Sequence, residues 1–155
     1  MRQNSPARAA AAAVVILSAC GGGSSPSTTP TPASPQVGGI YDVTVRLLEN
    51  ECAGTPTVQA QPTSVTHAPG ATAFTLTHGG LQVTGSVSSD GAFTTQSVAV
   101  QDPLGPATLA IAGRFATTGL EATVTVTVTP PAPAASCRYR VGWTGTKQGA
   151  PNRLG

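Results

Sequence analysis

From Tyr41 to Lys147 the chain alternates apolar and polar side chains in short runs broken by turn residues. Tyr41, Val43, Val45 and Leu47 share one face, with Asp42, Thr44 and Arg46 on the other, the period-two pattern of a half-buried strand. Phe74 and Leu76 repeat it. His78-Gly79-Gly80 then supplies the glycines of a tight hairpin, and Leu81 and Val83 begin the return strand. Asp90-Gly91 marks the next hairpin. Beyond it Phe93 stands on an odd position but Val98 and Val100 on even ones, a change of phase that predicts a β-bulge. After turns at Asp102-Pro103 and Gly105-Pro106 come Leu109, Ile111 and Phe115. Leu120, Ala122, Val124, Val126 and Val128 then oppose Glu121, Thr123, Thr125 and Thr127 in the most regular alternation of the chain. Pro130, Pro131 and Pro133 break the run. A last strand places Cys137, Tyr139, Val141 and Trp143 on a common face against Arg138 and Arg140. The stretch from Ala53 to Gly70 is less regular and predicts one or two short strands near Val58 and Val65.

These elements predict an all-β domain over residues 38–148, a single small antiparallel barrel of seven to eight strands in up-and-down order, with an open β-sandwich as the alternative. Closure would protect the Val-Thr repeat of residues 123–129, which as a free edge would template aggregation. At the level of strand pattern, residues 40–146 resemble lipocalin-like and avidin-like meander barrels. No motif is matched residue by residue, so a ligand or inhibitor role would follow from the fold by analogy only.

The N-terminal segment has a different character. Arg2 and Arg8 precede an apolar run from Ala9 to Leu17, too short to span a bilayer, which needs about 20 residues. It ends in Leu17-Ser18-Ala19-Cys20, which resembles the lipobox of bacterial lipoproteins at all four positions. That resemblance implies a signal peptide over residues 1–19. It also implies a Cys20 carrying diacylglycerol on its thiol and an acyl chain on its new amino terminus, with no other cofactor. Gly21 at the following position implies outer-membrane sorting, with the periplasmic side of the inner membrane as the alternative. Residues 20–37 combine that cysteine with a tether rich in Pro, Ser and Thr, reaching as far as roughly 50 Å. Residues 149–155 read as a loose tail.

Charge and cysteine count narrow the function. Without Arg2 and Arg8, six basic residues face six acids, so the field needed for nucleic-acid binding is lacking. Arg138, Arg140 and Lys147 form at most a short local cluster, read as a solvated face. With Cys20 lipidated, Cys52 and Cys137 remain as an even pair in an oxidising compartment and are expected to form a disulfide. His67 and His78 sit beside turns and belong to no metal-ligand cluster, and no nucleophile motif or carboxylate pair accompanies them, so neither a metal site nor catalysis is expected. Tyr139, Val141 and Trp143, with Phe74 and Leu76, either plug the barrel or line a ligand cavity. The functional expectation is a non-enzymatic, lipid-anchored envelope protein that binds a protein or surface component. A carrier or sensor of a small apolar ligand is the alternative, and a tethered protease inhibitor a further one.

Overall fold

The computed structural model describes residues 34–155, in which every regular element is a strand. The expectations for the signal peptide, for Cys20 and for most of the tether lie outside the described residues. In chain order the strands are β1 (Gly39–Asn50), β2 (Pro62–His67), β3 (Ala73–His78), β4 (Leu81–Val87), β5 (Ala92–Thr95), β6 (Val98–Asp102), β7 (Gly105–Ala116), β8 (Gly119–Val128) and β9 (Cys137–Lys147). Every pairing is antiparallel. The sheet runs β5-β4-β3-β2-β1-β9-β8-β7-β6, and a β5–β7 pairing closes it. Eight strands thus form a barrel in which neighbours in space are neighbours in sequence, except where β1 meets β9 and where β6 is passed over. The Val-Thr repeat lies in β8, paired on both sides by β7 and β9, so it presents no free edge.

The expected bulge is where β6, the strand outside the closed ring, originates. Thr94 stands opposite Ala112 and Val98 opposite Leu109, so four steps on one strand meet three on the other. The Thr95 hydroxyl fills the gap by accepting a hydrogen bond from the Ile111 amide at 2.9 Å. Past this step the chain continues as β6, paired to β7 alone and outside the closed ring.

Two ends of the barrel differ in how they are filled. At the base, Tyr41, Phe74, Phe93 and Phe115 pack ring against ring, with centroids 4.6 to 5.9 Å apart and two edge-to-face pairs. Such pairs add about 0.5–1.5 kcal/mol each beyond the burial of their area. Phe74 needs Gly85 opposite it: a Cβ there would lie 2.7 Å from the Phe74 Cζ. Leu76 is fully buried beside this plug. Phe74 and Leu76 are therefore core residues, distinct from the other three residues of the expected cavity set.

The domain is also larger at both ends than its strand pattern implies. Val37 is fully buried, and Gln36 exchanges two backbone hydrogen bonds with Arg153, so Gln36 and Val37, expected to belong to the tether, are part of the domain. Residues 149–155 are not a loose tail. Asn152 is buried; its amide donates to the Ala116 carbonyl at 2.7 Å, and its Oδ1 accepts from the Tyr41 hydroxyl at 2.8 Å. Leu154 packs on the core and the Gly155 amide bonds Ser89. Polar and proline-rich composition reads as loose because it hides how many hydrogen bonds a single asparagine can make once buried.

At the other end, the Cys52–Cys137 disulfide joins the end of β1 to the start of β9, with Cα atoms 5.1 Å apart. It is the pairing expected from the cysteine count.

Candidate binding site at the barrel mouth

The inward positions on the disulfide side carry valines and leucines where the base carries rings, and the difference in bulk leaves space. Val45, Leu109, Val124, Val126 and Val141 wall a cavity of about 340 Å3 together with Trp143, Tyr139 and His78. Its volume falls at the lower end of the roughly 300–1,000 Å3 range of small-molecule sites. The segment between Cys52 and Pro62 lies across the opening and contributes Thr57, Val58, Gln59 and Gln61 to the lining. This lid is pinned at one end by the disulfide and by Asn50, whose side chain accepts from the Cys52 amide and donates to the Gly54 carbonyl, both at 3.0 Å. At its other end the Gly79 amide donates to the Pro62 carbonyl at 3.3 Å. Of the one or two short strands expected in this stretch, one forms, the one around Val65. Val58 lies in the lid and packs on the core instead.

No charged side chain lines the cavity, and its polar lining comes from Thr57, Gln59, Gln61, His78 and Tyr139. His78 lies against Trp143, the ring centroids 4.3 Å apart and the planes 31° from parallel. Its Nδ1 is 2.7 Å from the hydroxyl of buried Thr63. Burial pulls the His78 pKa below its ordinary value, and the Gln59 carbonyl of the lid offsets part of the effect. The imidazole is thereby held towards its neutral form. Tyr139 donates its hydroxyl to Asp102 Oδ2 at 2.5 Å, while Asp102 Oδ1 accepts from the Leu104 amide at 2.9 Å. Burial, reinforced by the Asp102 carboxylate, pushes the Tyr139 hydroxyl well above its usual range, so it remains a neutral donor. The mouth therefore offers an apolar wall, one stacked aromatic pair and uncharged hydrogen-bonding groups at the lid, an arrangement suited to binding a neutral molecule.

Of the residues singled out from the sequence, Tyr139, Val141 and Trp143 line this cavity and Phe74 and Leu76 do not. His78, placed by the sequence beside a turn and outside any site, is half buried and belongs to it. Its position was available from the alternation, since Phe74, Leu76 and His78 share a parity, but a turn glycine beside it favoured the exposed reading. The basic cluster of Arg138, Arg140 and Lys147 does not form. Arg138 pairs with Glu51 at 2.8 Å and Arg140 with Glu49 at 3.1 Å near the mouth, while Lys147 is at the base end of β9. A wider depression of about 610 Å3 on the outer face is lined by Thr44, Thr123 and Thr144 between Arg46, Arg114 and Glu121. It is a groove of outward-facing side chains with mixed charge and no converging buried group.

Comparison with protein-family models, curated proteins and solved structures returns no match for this chain, so the likeness to lipocalin-like and avidin-like barrels rests on the strand pattern alone.

Proposed function

We propose that this protein is a lipid-anchored envelope module that holds a small, neutral, mostly apolar molecule in the mouth of its barrel. The mouth cavity is the observation that carries the ligand reading and favours it over docking of a macromolecule: its wall is apolar, it is uncharged throughout, and a pinned segment lies across it. The ligand would place an apolar ring or branch against Val124, Val126, Val141 and Trp143 and turn a hydroxyl or amide towards Gln59, Gln61 and His78. The Leu17-Ser18-Ala19-Cys20 sequence supports the lipid anchor, and Gly21 after it supports the outer-membrane address. Burial holds His78 towards its neutral form and keeps the Tyr139 hydroxyl protonated, so both meet a ligand as uncharged hydrogen-bonding groups.

Trp143 is the only tryptophan of the chain, so its fluorescence reports on the cavity without engineering. Titration with 2-naphthol, a neutral bicyclic probe with one hydroxyl, is expected to give a saturable change in Trp143 emission. It should also raise the melting temperature, since a ligand at about 100 times its Kd stabilises by about 2.7 kcal/mol. An unsaturable response, or one that persists when Val126→Phe fills the cavity, refutes the ligand reading. Intact mass of the membrane-extracted protein tests the anchor: the chain should begin at Cys20 with added acyl mass, and Cys20→Ala should release it from the membrane.

A further inference from the structure

Among the described residues, Arg114, Arg138 and Arg140 are paired with carboxylates, whereas Arg46, Lys147 and Arg153 are not. Two of the three unpaired cations, Lys147 and Arg153, line one cavity of about 330 Å3 at the base, opposite the mouth. Gln36 and His67 contribute to the same wall and no acid does. The nearest carboxylate in register, Asp42, is on the outward face of β1 and is engaged by the Gln148 amide at 2.8 Å.

The local structure presents these cations to the cavity. The Lys147 stem lies across Gly39, whose φ of +144° and bare Cα leave room that a Cβ, 2.7 Å from the Lys147 Cε, would remove. Its ammonium donates to Asn152 Oδ1 at 2.8 Å and lies 5.9 Å from the centre of the Tyr41 ring. Burial lowers the Lys147 pKa from its ordinary value, as expected of an ammonium with no counter-charge. Arg153 is set in place by its paired backbone bonds to Gln36 at 2.8 and 3.1 Å. His67 Nε2 lies 3.0 Å from the Ala71 carbonyl and so must be the protonated nitrogen. Its Nδ1 is closed to solvent and makes no contact with the cavity, so His67 contributes wall rather than a ligand atom.

We infer that this base cavity is an oxyanion site that takes a phosphate group, supplied either as free phosphate or as the headgroup of an anionic lipid. Two cations without a carboxylate match the charge of a phosphate. The Gln36 side chain and a bidentate Arg153 guanidinium offer the uncharged and the directional hydrogen bonds that fix it. The site is independent of the mouth cavity. It lies where the chain enters the barrel at Gln36, the side from which a lipid tether would arrive.

The test uses the full chain carrying Cys20→Ala, so that an acyl group does not itself attach the protein to vesicles. Inorganic phosphate is titrated at constant ionic strength, with chloride as the compensating anion, and amide NMR shifts are followed. Saturable shifts are expected at Gln36, His67, Lys147 and Arg153, and Arg153→Gln should weaken binding by about tenfold, the effect of losing a charged hydrogen bond. Lys147→Gln should do the same. Because it also removes a bond to Asn152, Arg153→Gln, whose backbone bridge is retained, decides the matter if Lys147→Gln does not fold. Arg138→Gln with Arg140→Gln removes charge far from the base and should leave the affinity unchanged. Co-sedimentation with phosphatidylglycerol vesicles, but not phosphatidylcholine vesicles, with the same Arg153 dependence, identifies a headgroup as the source, and free phosphate binding without vesicle binding identifies the soluble ion. Absence of both, or equal weakening by the Arg138/Arg140 pair, overturns the inference.

Discussion

Filling the mouth cavity with a larger side chain separates a real void from a packed interior, because the two give effects of opposite sign. Val126 is buried, faces inward from β8 opposite Tyr139, and lines the cavity. Val126→Phe would bring about 50 Å2 of additional apolar surface out of water, which at about 25 cal/mol per Å2 stabilises the fold by roughly 1 kcal/mol. The same change at Val43 enters a filled region, where Leu120 and Val43 already crowd Gly145. Overpacking of that kind costs about 1–3 kcal/mol. Thermal unfolding read by far-ultraviolet circular dichroism is a sufficient assay, with each kcal/mol worth about 3–6 °C in a domain of this size. Val126→Phe should raise the midpoint by a few degrees or leave it unchanged and abolish 2-naphthol binding, while Val43→Phe lowers the midpoint. Equal destabilisation by both would show that the mouth is as tightly filled as the base, and the reasoning behind the ligand site would fall with it.

Removing the disulfide by Cys52→Ala with Cys137→Ala should destabilise the domain by about 4.5 kcal/mol in the chain-entropy model for a separation of 85 residues, seen as a lower urea midpoint; a loss under 1 kcal/mol would refute that account. His78, whose pKa is lowered by burial, binds a proton more readily when unfolded, so its contribution is present above about pH 6.5 and is lost as the pH falls through the depressed native value. Urea midpoints across that interval should therefore drop more steeply in the wild type than in His78→Gln. At the alkaline limit burial holds Tyr41 up to about 12, against the lowering effect of Asn152, and Tyr139 is raised as well. The stability from these neutral hydroxyls is present below about pH 10 and is lost as the pH rises through the native values. Ultraviolet phenolate absorbance should thus appear only together with unfolding, and normal titration of either tyrosine in the folded protein would contradict the burial. Tyr139→Phe should cost about 1–2 kcal/mol by leaving the Asp102 carboxylate without its phenolic donor, measured by the same unfolding assay.

What the sequence determined by itself was local. Alternation assigned nearly every strand and its inward face, from Tyr41, Val43 and Val45 in β1 to Tyr139, Val141 and Trp143 in β9, because a pleated strand repeats every two residues whatever surrounds it. The same rule exposed the bulge, since Phe93 and Val98 cannot share a face without one inserted residue. Cysteine number paired Cys52 with Cys137 because only two remained once Cys20 was set aside. Tertiary structure decided which inward residues meet across the barrel, and that depends on closure and stagger that no single strand encodes. It gathered four rings at the base and left valines at the mouth, so Phe74 and Val141, alike in pattern, became plug and cavity wall. It also brought His78 from β3 onto Trp143 from β9, and it joined Lys147, Arg153 and His67 around one cavity through a C-terminal segment whose composition looked unstructured. A period of two says which way a side chain points, and only the closed barrel says what it points at.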